Sequence, residues 1–149
     1  RIDSLLARQT FDLIMVHCSS VAPYVAAADG PKVLDFGAMD SQKWLEYAQR
    51  KPFPLSLGYR LEGMKMLAAE KRLARRFDLC TATTRAEWET LQGYGTGAAT
   101  DWFPNGVDAG FYSPTDGAYD PDTISFIGRM DYYPNQECMA RSARRRGPC

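Results

Sequence analysis

Short apolar runs alternate along the chain with longer stretches in which apolar residues recur every three or four positions. The short runs have the length of strands and the longer stretches have the spacing of helices. Strands are predicted, in order, at residues 11–16, 32–36, 78–82, 100–103 and 123–127. Regular alternation of strands and helices is typical of an α/β fold, so we predict a Rossmann-like parallel sheet with flanking helices.

The helices between these strands show recognisable start signals. A helix over residues 21–28 follows Ser19 and Ser20, either of which can cap it. Asp40 or Ser41 is predicted to cap the next helix, and the longest periodic stretch covers residues 57–77. Thr84 and Glu87 form a capping box, which predicts a helix that continues to about Gln92.

Composition narrows the class of protein. The chain has 149 residues, 18 basic and 18 acidic side chains and a formal net charge of zero. This balance disfavours a polycationic nucleic-acid binder, so no nucleic-acid partner is expected. With a single histidine in the chain, a zinc site of two cysteines and two histidines is excluded. Four cysteines without a CxxC pair favour a reducing compartment.

Candidate chemistry lies just beyond the predicted strands. In an open α/β sheet, ligands bind beyond the carboxyl ends of the strands. His17 follows the first strand and could bind a hydroxyl or a diphosphate oxygen, or be structural only. Gly128 and Arg129 follow the last strand, where glycine lets a phosphate approach and arginine can pair with it, unless they form a solvated strand end. Asn105 and Gly106 form a turn signal after the fourth strand.

Taken in order, six segments resemble the retaining family 4 glycosyltransferases of GT-B fold. They are FDLIMVHCSS, VLDFGAMDSQKWLEY, YRLEGMKMLAAEKRLARRFD, TATTRAEWETL, FPNGVDAGFYSP and ISFIGRMDYYPN, and together they cover about residues 11–135. Within that family, the chain is most similar to bacterial sugar transferases associated with exopolysaccharide and exosortase (PEP-CTERM) gene clusters. The resemblance implies a two-domain enzyme, with an acceptor-binding Rossmann-like domain followed by a domain that binds the nucleotide-sugar.

The resemblance also implies how the chain is divided. Residues 1–111 match the C-terminal half of the acceptor-side domain, and residues 112–122 match the interdomain linker. Residues 123–140 match the first strand and helix start of the donor domain, and residues 141–149 are expected to be a disordered or non-native basic tail. The family's glycine-rich loop and its Glu-x7-Glu segment have no counterpart in this sequence. We therefore expect a fragment with partial GT-B architecture, inactive by itself and prone to self-association.

Family roles transfer to five residues. His17 matches a strand-end histidine that lies beside the donor sugar and diphosphate, and it is the candidate catalytic residue. Arg129 matches an arginine that contacts the donor diphosphate, and Gly128 precedes it. Asn105 and Gly106 match the interdomain turn, where a purely structural β-turn is the alternative. The candidate substrate-binding residues are therefore Arg129, Gly128, Asn105 and Gly106.

The function implied is transfer of a sugar from a nucleotide-sugar to a glycan or lipid-linked acceptor, with retention, in exopolysaccharide synthesis. The resemblance implies an enzyme that needs no metal or other cofactor. A cytoplasmic location follows, at the inner face of the membrane if the protein associates peripherally with it. The alternative is a non-catalytic Rossmann-like binding or scaffold module. A nucleotide-sugar epimerase of GT-B fold is a third hypothesis, which the Asp-Ser-x-x-Trp and Met-Asp-Tyr-x-Pro-Asn segments disfavour.

Overall fold

The structure of the protein, a computed structural model, describes residues 1–113, 117 and 120–144. The chain falls into two compact units, Arg1–Val107 and Asp108–Cys149. Each unit is described by itself below.

A four-stranded parallel sheet forms the first unit. Its strands are β1 (Ile14–His17), β2 (Lys32–Asp35), β3 (Leu79–Ala82) and β4 (Ala99–Trp102), and their order in the sheet is β1-β2-β3-β4. All three neighbouring pairs are parallel. The predicted α/β fold with a Rossmann-like parallel sheet is confirmed.

The helices flank this sheet. They are α1 (Ile2–Leu6), α2 (Asp40–Arg50), α3 (Leu55–Ala74) and α4 (Arg85–Gln92), with a single 3-10 turn at Ala22–Tyr24. The long helix α3 begins two residues earlier than predicted and ends three residues earlier. Thr84 caps α4 by accepting a hydrogen bond from the Glu87 backbone N–H, as the capping box predicts.

Two helix predictions need correction. Residues 21–28 form only one 3-10 turn, Ala22–Tyr24, which is preceded by Val21 and has no side-chain cap, so neither Ser19 nor Ser20 caps a helix here. Helix α2 is capped by the backbone of Met39, and neither Asp40 nor Ser41 is its cap. Asp40 lies in the first turn and pairs instead with Lys43, at 2.8 Å.

The hydrophobic core lies on one face of the sheet. Val16, Leu34 and Cys80 occupy matching positions on β1, β2 and β3, and all three are buried. The 3-10 turn, α3 and the end of α4 cover them through Ala22, Val25, Leu67, Leu73, Ala74, Leu91 and Tyr94. Burial raises the pKa of the Cys80 thiol to about 12, so this cysteine behaves as a core residue.

A buried carboxylate ties the helices together. Glu70 on α3 accepts hydrogen bonds from the backbone N–H of Ser41 at 2.9 Å and from its hydroxyl at 2.5 Å. The Tyr94 hydroxyl donates to the same carboxylate at 2.6 Å. Burial, together with the bond to Glu70, raises the pKa of Tyr94. The start of α2, the end of α3 and the segment after α4 therefore share one polar contact.

The second unit contains helix α5 (Tyr133–Arg144). Residues 123–127 are not a strand, so that prediction is wrong: the part of this unit that the structure describes offers no strand to pair with them, and Ile127 is 97% exposed. Helix α5 continues to Arg144, so the first four residues of the predicted basic tail are helical. Residues 145–149 of that tail, and residues 114–116 and 118–119 of the predicted linker, lie outside the described residues.

Replacing Leu34 with alanine should lower the free energy of unfolding by about 2–5 kcal/mol, because it opens a cavity under the central strand. Leu34 is fully buried, whereas Leu57 on α3 is 50% exposed. Leu57→Ala is the matched control and should change stability by about 0.5 kcal/mol. Urea denaturation followed by circular dichroism measures both, and equal losses would contradict this placement of the core.

Self-association is expected at strand β1, which lies at an edge of the sheet. Met15 on this strand is 61% exposed. Met15→Lys should shift the sedimentation velocity profile toward the monomer, and Leu61→Lys on α3 should leave it as in the wild type. A wild-type chain that sediments as a monomer at every concentration would rule this out.

Candidate functional site

His17 and Asp35 meet at the carboxyl end of the sheet. They close the adjacent strands β1 and β2 and are partners in the strand register. The His17 Nδ1 atom lies 2.6 Å from Asp35 Oδ2. The Asp35 side chain is 8% exposed and the His17 side chain is 67% exposed. One side of the imidazole is therefore anchored inside the protein, and the ring itself is accessible.

Asp35 is held by further hydrogen bonds. The Thr81 hydroxyl donates to Asp35 Oδ1 at 3.0 Å, and the backbone N–H of Gly37 donates to the same oxygen at 3.3 Å. Thr81 is the register partner of Asp35 on β3 and is also buried. A carboxylate is costly to bury unless such bonds replace its water. The three strands β1, β2 and β3 thus contribute one side chain each to a fixed polar row.

The turns after β1 and β2 adopt unusual backbone conformations. Cys18 has a φ of 75°, a left-handed conformation that is rare for a residue with a side chain, and Gly37 has a φ of 67°. A Cβ atom on residue 37 would lie 2.9 Å from His17 Cε1. Gly37 therefore supplies both the backbone geometry and the space that the ring occupies. Residues held in such conformations are concentrated at functional sites.

Side chains from the β3–α4 region secure the turn that follows Asp35. The Thr83 hydroxyl donates to the carbonyl oxygen of Gly37. The backbone N–H of Met39 donates to Glu87 Oε1 at 3.2 Å. The turn is consequently tied to β3 and α4 as well as to its own strand.

Asn105 and Gly106 follow the strand at the opposite edge of the sheet from His17. Both are exposed and follow β4, which is the edge strand opposite β1. Three strand spacings of about 4.8 Å separate the ends of these strands by roughly 14 Å. The strand that carries His17 and the strand that precedes the predicted interdomain turn are therefore the two edge strands of the sheet.

Gly128 and Arg129 belong to the second unit. The Arg129 side chain is 82% exposed and forms a two-pronged ion pair with Asp131, with N–O distances of 2.6 and 3.1 Å. This pairing raises the pKa of Arg129 and lowers the pKa of Asp131. A Cβ atom on residue 128 would lie 3.0 Å from Asn135 Nδ2 and 3.1 Å from Phe126 Cε1. An anion that binds Arg129 must compete with Asp131.

A cavity of about 480 Å³ lies between the segment after β1 and helix α3. Pro23, Leu73 and other apolar side chains form most of its wall, and Ser19, Asp40 and Arg76 contribute polar groups. The buried Glu70 also borders it, although its oxygens are occupied by Ser41 and Tyr94. The cavity lies on the core side of the sheet and does not include His17.

Sequence reasoning identified His17 and missed its partners Asp35 and Thr81. A signal for Asp35 was present, because a carboxylate in the apolar run KVLDF has to be hydrogen-bonded if the strand is buried. Thr81 carries no such signal, since threonine is common in strands. Its role becomes visible only through the register of β2 and β3.

Comparison with protein-family models, curated proteins and solved structures finds no match to this chain. Among residues 1–113, 117 and 120–144, no three His, Cys, Asp or Glu side chains are grouped in a way that could hold a metal ion. No helix over the same residues is long and apolar enough to cross a membrane. What the structure establishes is the fold class: an α/β protein with a Rossmann-like parallel sheet.

Gly37→Ala should lower the free energy of unfolding by about 1–3 kcal/mol and displace the His17 ring, because a Cβ there combines a left-handed backbone with a steric clash. Gly95→Ala is the matched control: Gly95 also has a positive φ, 60°, but no atom lies within 4 Å of the position that an alanine Cβ would take. Only Gly37→Ala should shift the ring signals of the single histidine in NMR spectra. Identical ring shifts in both variants would contradict the contact.

Proposed function

We propose that the protein acts in glycosyl transfer, as part of a retaining family 4 type glycosyltransferase of exopolysaccharide synthesis. The observation that carries the proposal is the anchored His17. It lies at the carboxyl edge of a parallel sheet, where ligands of open α/β sheets bind and where the resemblance expects a histidine beside the donor. The proposed reaction moves a sugar from a nucleotide-sugar to a glycan or lipid-linked acceptor.

The chemistry requires stabilisation of a leaving diphosphate. In retaining transfer, the bond between the sugar and the diphosphate breaks and the acceptor oxygen bonds to the same face of the sugar. The departing phosphate oxygen takes the acceptor proton. Arg129 would pair with the diphosphate after giving up Asp131, and Gly128 would let the phosphate approach the backbone. Positive charge and backbone N–H groups can perform this role without a metal ion.

The remaining parts of the proposal follow from the same resemblance. Asn105 and Gly106 would form the turn between the acceptor-side and donor-side domains. The protein would act in the cytoplasm, and a lipid-linked acceptor would bring it to the inner face of the membrane.

A second candidate function is a non-catalytic binding or scaffold module. The ion pair between Arg129 and Asp131 favours it, because an arginine already paired with a neighbouring carboxylate is less available to a diphosphate. This module would hold an acceptor or a partner chain and would catalyse no transfer.

The test is a transfer assay on the product of the complete gene, with the 149-residue chain assayed alongside. A panel of UDP- and GDP-sugars is offered with extracted lipid and polysaccharide acceptors. Transfer should occur with retained anomeric configuration. His17→Ala should lower kcat/KM about tenfold, which corresponds to the loss of one hydrogen bond of about 1.4 kcal/mol.

Arginine variants provide the matched comparison in the second unit. Arg129→Gln should lower kcat/KM, and Arg141→Gln should not, although both arginines are exposed and paired with a carboxylate. Binding of an acceptor without transfer would favour the binding module. A folded gene product that neither transfers a sugar nor binds any of the acceptors would refute both candidates.

A further inference from the structure

The hydrogen bonds around Asp35 constrain the proton on His17. The Gly37 backbone N–H can only donate, and it points at Asp35 Oδ1 together with the Thr81 hydroxyl. Oδ1 is therefore an acceptor, and Oδ2 is the oxygen that faces His17 Nδ1 at 2.6 Å. An ionised carboxylate has no hydrogen to donate. The hydrogen in the contact between Oδ2 and Nδ1 must then come from the imidazole.

We infer that Asp35 is a positioning residue, which keeps the hydrogen of neutral His17 on Nδ1 and leaves Nε2 as a hydrogen-bond acceptor. The two anchoring bonds to Oδ1 prevent the carboxylate from turning away, and Gly37 leaves room for the ring beside it. The ring is 67% exposed, so ligands can reach it. The orientation of the acceptor atom is thus set by β2 and β3, although the histidine lies on β1.

This assignment determines which ligand group the neutral ring can recognise. A hydroxyl can donate a hydrogen bond to Nε2, whereas a fully ionised phosphate oxygen is itself an acceptor and cannot. His17 therefore recognises a hydroxyl of its ligand and does not bind a diphosphate oxygen in this state. The tautomer assignment is independent of the proposed function. The statement that this hydroxyl belongs to the sugar substrate rests on the proposed function.

Asparagine at position 35 should reverse the tautomer. The Asn oxygen would remain with its two donors, the Gly37 N–H and the Thr81 hydroxyl, as Oδ1 does now. The amide NH₂ group would then face His17 and donate to Nδ1. The ring hydrogen would have to move to Nε2, which would become a donor.

The experiment records two-bond ¹H–¹⁵N correlations of the imidazole in the ¹⁵N-labelled protein. The chain has one histidine, so the ring signals need no assignment. Spectra are recorded at a pH high enough that the ring signals no longer change with pH, so that the imidazole is neutral. The wild type should show the Nδ1–H tautomer and Asp35→Asn the Nε2–H tautomer. Asp101→Asn is the matched control: Asp101 lies in the same row of the sheet on β4 but bonds to the Trp102 backbone N–H, so the wild-type tautomer should persist.

Either of two results would overturn the inference: a wild-type ring that is mainly Nε2–H or an even mixture, or an Asp35→Asn ring that stays Nδ1–H. If Asp35→Asn does not fold, the wild-type spectrum still decides, and Thr81→Val provides a further variant that should keep Nδ1–H because Oδ2 is untouched. The readout does not depend on catalysis. A reversed tautomer in Asp35→Asn, together with a complete gene product that transfers no sugar, would support the role of Asp35 and refute the proposed function.

Discussion

The pairing of β2 with β1 on one side and β3 on the other is the constraint on which the first unit depends. Along a strand, successive side chains point to opposite faces of the sheet. Leu34 therefore enters the core, and Asp35 enters the polar row with His17 and Thr81. A register shift of one residue would place the carboxylate in the core and the leucine beside the histidine. The fold and the candidate site are thus set by the same backbone hydrogen bonds.

Much of the fold could be predicted from the sequence because its signals are local. Apolar runs mark the strands, and Thr84 with Glu87 marks the start of α4. Predictions failed where the outcome depends on other parts of the molecule. Residues 123–127 have the composition of a strand, but a strand forms only with a hydrogen-bonding neighbour. The helix predicted after β1 is a single 3-10 turn, because neither predicted serine supplies the side-chain cap that starts a longer helix.

The candidate site was predicted only in part, for a related reason. His17 could be recognised because its position after a strand is a property of the sequence alone. Its partners lie 18 and 64 residues further along the chain, and register brings them together. Asn105 and Gly106 share the carboxyl side of the sheet with His17 but follow the opposite edge strand. Sequence order indicates which end of the sheet a residue occupies, and it does not indicate how far apart two such residues are.

The buried carboxylate of Glu70 has a consequence beyond its own contacts. Apolar contacts are non-directional, so by themselves they specify the relative position of two helices less strictly than hydrogen bonds do. A carboxylate with fixed donors specifies it strictly, because displacement by one helical turn of about 5.4 Å would remove all of its donors. The hydrogen bonds from Ser41 and Tyr94 to Glu70 therefore fix the position of the start of α2 relative to α3. The turn between β2 and α2, which includes Gly37, is consequently fixed at both ends, by strand β2 and by the bond between Ser41 and Glu70.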